Sequence, residues 1–159
     1  MPPPTRRYFY EIDLNGSLYH DRTRLTDRAF LDFFFRQLRA NTTGEEPGYP
    51  WYSPCGVEWN FVRASETPIV FDRLHAQSSH DILGFNHTSL TVPFAPEQLR
   101  VSEHGALYHP ARPAAGIAIG RLHTHLVLQL ADQIQEEAGN YILTYRGRKN
   151  LILPYNGEI

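Results

Sequence analysis

A single cysteine, Cys55, stands among 159 residues, so no disulfide can form within the chain. That fits a reducing compartment. Basic excess is missing too: the net charge is −2 with eight histidines counted as neutral. A chain built to hold nucleic acid or an anionic membrane carries a basic patch or a pI above about 9. The group Arg146, Arg148 and Lys149 is too small to supply one, so neither partner is expected. No apolar run approaches the roughly 18 residues of a membrane span. The longest, residues 30–35 and 114–119, are short and interrupted. Residues 1–7 hold three prolines and two arginines. No apolar segment follows them, so no secretory signal is expected, and the chain reads as cytoplasmic. Phosphate loop, dinucleotide fingerprint, Gly-x-Ser-x-Gly and His-Glu-x-x-His are all lacking. No cofactor is expected.

What is present is ordinary globular material: 42% apolar and 20% charged residues. The length suits one compact domain, or two small halves on a shared core.

The local patterns are readable in order. Residues 8–13 form an aromatic, β-prone run. Asn15-Gly16 signals a type I′ turn, and residues 17–20 the returning strand. Thr26 is a suitable N-cap. Residues 27–40 carry Phe30, Phe33, Phe34 and Leu38 at helical spacing. Residues 41–48 form a polar loop. Strands are expected at 49–53, 57–64 and 68–74, with Pro54-Cys55-Gly56 making a turn. Residues 75–88 read as a linker loop. The second half begins with a strand at 89–94 and a hairpin at 99–109. A Pro/Ala loop covers 110–116. A helix is expected over 117–138, with Ile119, Leu122, Leu126, Leu130 and Ile134 on one stripe. A last hairpin spans 141–155 with its turn at Gly147.

The two halves match. Asn15-Gly16-Ser17-Leu18-Tyr19-His20 parallels His104-Gly105-Ala106-Leu107-Tyr108-His109, an offset of 89 from Gly16 to Gly105. Asn60 and Asn150 lie 90 apart. Each half reads hairpin, helix, hairpin. The expected fold is therefore α+β, two tandem similar halves with mainly antiparallel strands, as an internal duplication produces. The expected layout is a flexible tail at 1–7, halves at 8–74 and 89–155 joined by 75–88, and a tail at 156–159. The plainer alternative is a common supersecondary order with a short chance match.

Several strings carry a family resemblance. Tyr8-Phe9-Tyr10, Ser53-Pro54-Cys55-Gly56 with Asn60-Phe61, Pro68-Ile69-Val70-Phe71, Val92-Pro93-Phe94 and Leu107-Tyr108-His109-Pro110 resemble uncharacterised protein family 0598, also catalogued as domain of unknown function 4505. The likeness runs from Tyr8 into the expected second helix. It implies vertebrate relatives in mitochondria. The Arg/Ser-rich presequence of mitochondrial import is not seen here, which points to a bacterial relative. The hairpin–helix opening is also similar to domain of unknown function 1285, which implies a two-part α+β scaffold. Neither likeness brings an activity.

The candidate chemistry rests on a few residues. Cys55 lies in a Pro-Cys-Gly turn whose amides would support a thiolate, and a histidine partner would make it a nucleophile. The plain reading is a small buried turn residue. His20 and His109 are equivalent in the repeat. They are either corner residues bonding backbone or paired ligands for a small molecule between the halves, with Asn60 and Arg63 nearby. His75, His80 and His87 lie in the linker beside Asp72 and Asp81, but their spacing matches no zinc signature. His123 and His125 would point apart on a helix, His123 at the core edge and His125 in solvent. Glu58 and Arg63 fall on opposite faces of a strand and form no acid–base pair. Tyr8, Tyr10, Trp51, Tyr52 and Trp59 read as core. The reading that follows is a non-catalytic module binding a small ligand or a protein partner in a groove between its halves. A Cys55–histidine thiol enzyme is the alternative, and a metal site in the loop from His75 to His87 is a second.

Overall fold

The computed structural model describes residues 6–77 and 79–157. The expected tails lie partly outside this range, at residues 1–5 and 158–159. The described residues are mixed α/β, mostly strands, with two α-helices and two sheets. Its strands are β1 (Arg6–Ile12), β2 (Leu18–His20), β3 (Thr23–Arg24), β4 (Arg39–Ala40), β5 (Trp51–Cys55), β6 (Glu58–Ala64), β7 (Val70–His75) and β8 (Ile82–Phe85). Then follow β9 (Thr91–Pro93), β10 (Arg100–Val101), β11 (Leu107–Arg112), β12 (Ile117–Leu122), β13 (Ile134–Glu137), β14 (Asn140–Tyr145) and β15 (Arg148–Pro154). Helix α1 (Arg28–Gln37) lies between β3 and β4, and α2 (Thr124–Ala131) between β12 and β13. No helix among the described residues is long and apolar enough to cross a membrane.

The first sheet has six strands in the order β3-β2-β1-β6-β5-β4. The second has nine, in the order β13-β14-β15-β10-β11-β12-β7-β8-β9. Six strands of the second sheet therefore repeat the order of the first, each nine places later in the chain. β1 runs parallel to β6, β10 to β15 and β12 to β7, while the other ladders are antiparallel. The registers agree as well. Ile12 faces Leu18 and Ala64, and Val101 faces Leu107 and Pro154. Backbone N–H of Ser65 donates to Ile12 and that of Tyr155 to Val101, both at 2.8 Å. The Asn60 amide donates to the carbonyl of Ser53 at 3.0 Å, and the Asn150 amide to that of Leu143 at 3.3 Å.

Both opening hairpins turn in the same way, which is not type I′. Gly16 and Gly105 have φ of 81° and 85°, while Asn15 and His104 keep negative φ. The turn closes by Gly16 N–H to Asp13 C=O at 3.1 Å, with Asp13 N–H bonding Ser17 C=O. That is a tight turn ending in a left-handed glycine, the G1-bulge arrangement. The carboxylate of Asp13 accepts from the amides of Asn15 and Ser17, and the Ser102 hydroxyl accepts from those of His104 and Ala106.

Helix α1 is capped by Asp27, whose Oδ2 accepts from Phe30 N–H at 2.9 Å, rather than by the expected Thr26. It ends at Gln37, short of residue 40, because Leu38 turns extended and the chain enters β4. Its buried face is Leu31, Phe34 and Phe35, and Phe33 is exposed. The expected helix over 117–138 is the main correction. Residues 117–122 form β12, laid parallel on β7, with Arg121 N–H donating to Ile69 C=O and His123 N–H to Phe71 C=O. Gly120 explains the fit: a Cβ there would stand 2.7 Å from the Phe71 ring and 2.8 Å from Ile69 O. Only 124–131 are helical. The chain then returns as β13, and Ala138 and Gly139, both at positive φ, make the hairpin turn into β14. The linker is not a plain loop either, since β7, β8 and β9 form a meander on the second sheet.

One apolar cluster joins everything. It includes Tyr10 and Ile12 of the first sheet, Phe34 of α1, Phe71 and Leu83 of the second sheet, and Leu126 of α2. A smaller aromatic cluster of Tyr52, Trp59 and Phe61 covers the far face of the first sheet.

Candidate functional site

Three expected residues, His20, Asn60 and Cys55, lie on the inner face of the first sheet, and two of them touch. Tyr10 lies opposite His20 across the β1–β2 ladder, and their rings stack at 4.8 Å. The Tyr8 ring meets His20 edge-on at 5.8 Å. Across β6 and β5, Asn60 Nδ2 donates to Cys55 Sγ at 3.2 Å. Cys55 is half-buried, and burial pushes its thiol up, as does the Glu58 charge, against the bonds to Ser53 and Asn60. Burial, then Cys55 and Glu58, push the Tyr10 phenol up to about 12. Asn60 Oδ1 is buried and has no partner among the described residues.

The same place in the second sheet is filled. Tyr145 stands ninety residues on from Cys55, packs edge-on against Phe94 at 5.1 Å, and its phenol donates to Asp81. Arg146 holds the same carboxylate at 2.6 Å. His109 is buried between Phe94 and Phe71, at 5.6 and 5.5 Å. Its Nε2 accepts from Ala95 N–H at 3.0 Å and its Nδ1 donates to Pro110 C=O at 2.8 Å. That pattern defines a neutral ring, and burial holds its pKa below the ordinary histidine value. His20 and His109 thus occupy equivalent strand positions but lie in different sheets.

The remaining expected residues are dispersed. Arg63 lies on the outer face of the first sheet, paired with Glu11 at 2.5 Å and over the Tyr49 ring at 5.1 Å. Glu58 pairs instead with Arg6 at 3.5 Å. His75 ends β7, exposed, and His80 bonds Ser79. No group of three metal-ligating side chains assembles among the described residues. His123 is the N-cap of α2 and not a helical residue. Its Nδ1 accepts from His125 N–H, the two rings stand 4.2 Å apart, and His125 Nε2 bonds Asp72 C=O.

His87 has the neighbours of a hydrolase triad and, besides them, a backbone carbonyl on the same ring nitrogen. Its Nδ1 is 3.3 Å from buried Asp72 and its Nε2 3.4 Å from the Ser17 hydroxyl. Nε2 is also 3.2 Å from the Asn15 carbonyl, which can only accept. A ring nitrogen donating there is no base for Ser17. The amides of Asn15 and Ser17 are spent on Asp13, so no oxyanion donors remain in that turn. The cluster is a clamp instead. Asn86 and His87, at φ of 50° and 60°, bend the chain so that Asn86 Nδ2 reaches Gly16 C=O at 3.1 Å. This joins the first hairpin to the second sheet.

A second junction is open. Between α1–β4 and the end of β11 lies a groove of about 480 Å³, lined by Leu38, Arg39, Thr42, Arg112, Ala114 and Gly116. Arg112 reaches across to the last turn of α1, with Nη1 on Phe35 C=O at 2.6 Å and Nη2 on Arg36 C=O at 3.1 Å. Arg39 is steadied by the carbonyl and side chain of Gln37. Burial, then the charges of Arg39 and Arg36, depress the pKa of Arg112. The sequence reading missed these arginines. The signal was slight: a basic last helical turn, and one arginine inside a Pro/Ala stretch.

Two solved structures share this fold. A DUF1285 family protein from Silicibacter pomeroyi DSS-3 matches 97% of this chain and 84% of its own at 18% identity, with a TM-score of 0.60. A second, from Shewanella baltica OS155, matches 79% of this chain and 91% of its own at 16% identity, with a TM-score of 0.58. At such identities the likeness is one of fold. The family model for Domain of unknown function (DUF4505) matches residues 1–152, and the chain belongs to that family.

Proposed function

We propose that this chain is a non-catalytic binding module, built from two duplicated halves, that holds a small ligand in the groove between them. Duplication is supported by the repeated strand order, the registers offset by 89 and 90, and the paired Asn60 and Asn150 bonds. The observation that carries the binding reading is the groove itself. It is lined by residues 38–42 on one side and 112–116 on the other, so its two walls come from different halves. A non-catalytic role is supported by the polar side chains elsewhere. His109 bonds two backbone groups, His87 clamps a turn, and the Cys55 thiol has an amide neighbour and a raised pKa. A reactive thiol needs the opposite shift. The single cysteine and the modest charge support a cytoplasmic module without nucleic-acid partners.

Crystals soaked with a library of small polar fragments test this. Density for bound fragments is expected between Thr42 and Ala114. Binding confined to other surfaces would count against the groove.

A further inference from the structure

The groove between the halves carries an unbalanced charge. Arg39 and Arg112 line it, and a second cavity of about 180 Å³ shares Arg112 in its lining and adds Arg36. Among the described residues no carboxylate lies within ion-pair distance of any of the three. Arg7, Arg63, Arg121 and Arg146 have carboxylate partners in Glu45, Glu11, Glu66 and Asp81, whereas Arg22, Arg24, Arg28, Arg100 and Arg148 share with the groove arginines the lack of an ion pair among the described residues. What sets Arg39 and Arg112 apart is that they line one groove. Like charges brought together without a counterion repel, and the effect strengthens with partial burial.

Part of this charge has a structural use. Arg112 caps the carbonyl end of α1, where a cation is favourable. That engages two nitrogens, and a guanidinium carries five N–H donors in a fork suited to carboxylate or phosphate oxygens. Arg39 engages Nε and Nη2 with Gln37 and keeps donors in reserve. Thr42 is exposed on the rim, and Ala114 and Gly116 are too small to fill the space. Gly116 also lets the walls approach: a Cβ there would stand 2.6 Å from the Ala40 Cβ.

We infer that the occupant of the groove is a small multivalent oxyanion, a phosphate or a di- or tricarboxylate, held by the guanidinium groups of Arg39 and Arg112. This rests on the reading of the groove as the binding site. It adds the chemistry of the ligand, and with it a requirement for positive charge on both walls.

Calorimetric titration of the full chain with inorganic phosphate, and separately with citrate, tests it. Saturable binding is expected for at least one, weakening as sodium chloride is raised. The stronger of the two arms identifies the oxyanion class. Arg39→Gln is expected to weaken it about tenfold or more, the loss typical of a charge-assisted bond. Arg63→Gln, on the outer face, is expected to leave it unchanged. Arg112→Lys keeps the charge but loses the fork, and is expected to weaken binding while a thermal melt reports whether α1 is still held. If neutral fragments occupy the groove while phosphate and citrate do not bind, the anion assignment is overturned and the binding reading stands. If nothing binds there, the binding reading fails with it. Equal losses in Arg39→Gln and Arg63→Gln mean diffuse attraction to an anion, which also overturns the assignment.

Discussion

His109 shows what the two-fold pattern does to a single side chain. Its counterpart His20 is partly exposed between tyrosines, whereas His109 is enclosed by Phe71 and Phe94 and satisfied at both nitrogens. Protonating Nε2 would break the bond from Ala95 N–H and bury a charge. Burial therefore depresses the folded-state pKa below the unfolded value of about 6.5. The sign follows from linkage. The stabilisation is full above the unfolded pKa and is lost as pH falls through that value toward the folded one, because only the unfolded chain takes up the proton. Other groups facing this ring are Glu97 by charge, and Tyr145 with Asp81 across Phe94. His123, also depressed by burial, acts in the same direction. Urea unfolding at pH 7.5 and 5.5 should show a stability loss that shrinks in His109→Gln. An equal loss in both proteins would contradict this account of the ring.

At the scale of elements, the equivalent glycines make a sharp comparison. Gly16 and Gly105 both adopt positive φ, where a Cβ costs about 1–2 kcal/mol. Around Gly105 nothing lies within 4 Å. At Gly16 a Cβ would stand 2.9 Å from Val70 Cβ and 3.2 Å from the Asn86 amide. Gly105→Ala should therefore cost only the backbone strain. Gly16→Ala should cost about 1–3 kcal/mol more, the usual penalty of overpacking. Chemical denaturation of the two variants checks this, and equal losses would mean that the first hairpin is not clamped onto the second sheet.

Much of the element plan was legible, and the failures have physical causes. The strands at 8–13 and 57–64 and the first helix carried clear alternation or helical spacing. So did the hairpin turn at Gly147. The helix over 117–138 was misread because apolar residues of β12, α2 and β13 fall by chance on one helical stripe. The contrary signs were Gly116 and Gly120, poor helix residues, beside β-branched Ile117 and Ile119. What a glycine gains by letting β12 lie on β7 is a tertiary fact. The linker was misread because β8 is only four residues long and sits between polar Ser, His and Asn stretches, although its partners β7 and β9 flank it in the chain. Of the site, Cys55 and Asn60 were named and touch, His20 lies beyond β1 against Tyr8 and Tyr10, and Arg63 and His109 lie apart. Arg39 and Arg112 went unseen because a pairing of two arginines 73 residues apart is invisible in local pattern.

The whole molecule joins a repeated strand order to an unequal use of its parts. The two sheets share one apolar cluster, and the second carries the β7–β9 meander beside the six strands whose order repeats. The inner face of the first half keeps a thiol and an unpaired amide oxygen, where the second half is filled by Tyr145 and Phe94. The groove has one wall from residues 38–42 and the other from residues 112–116, so the ligand proposed for it would report on both. The most direct measurement is an NMR titration of the 15N-labelled chain with phosphate or citrate, following the amides of Ala40 and Thr42 together with those of Ala114 and Gly116. The account predicts that all four shift along one binding curve with a single dissociation constant. Shifts confined to one wall, or shared by exposed amides throughout the molecule, would contradict a ligand site formed between the halves.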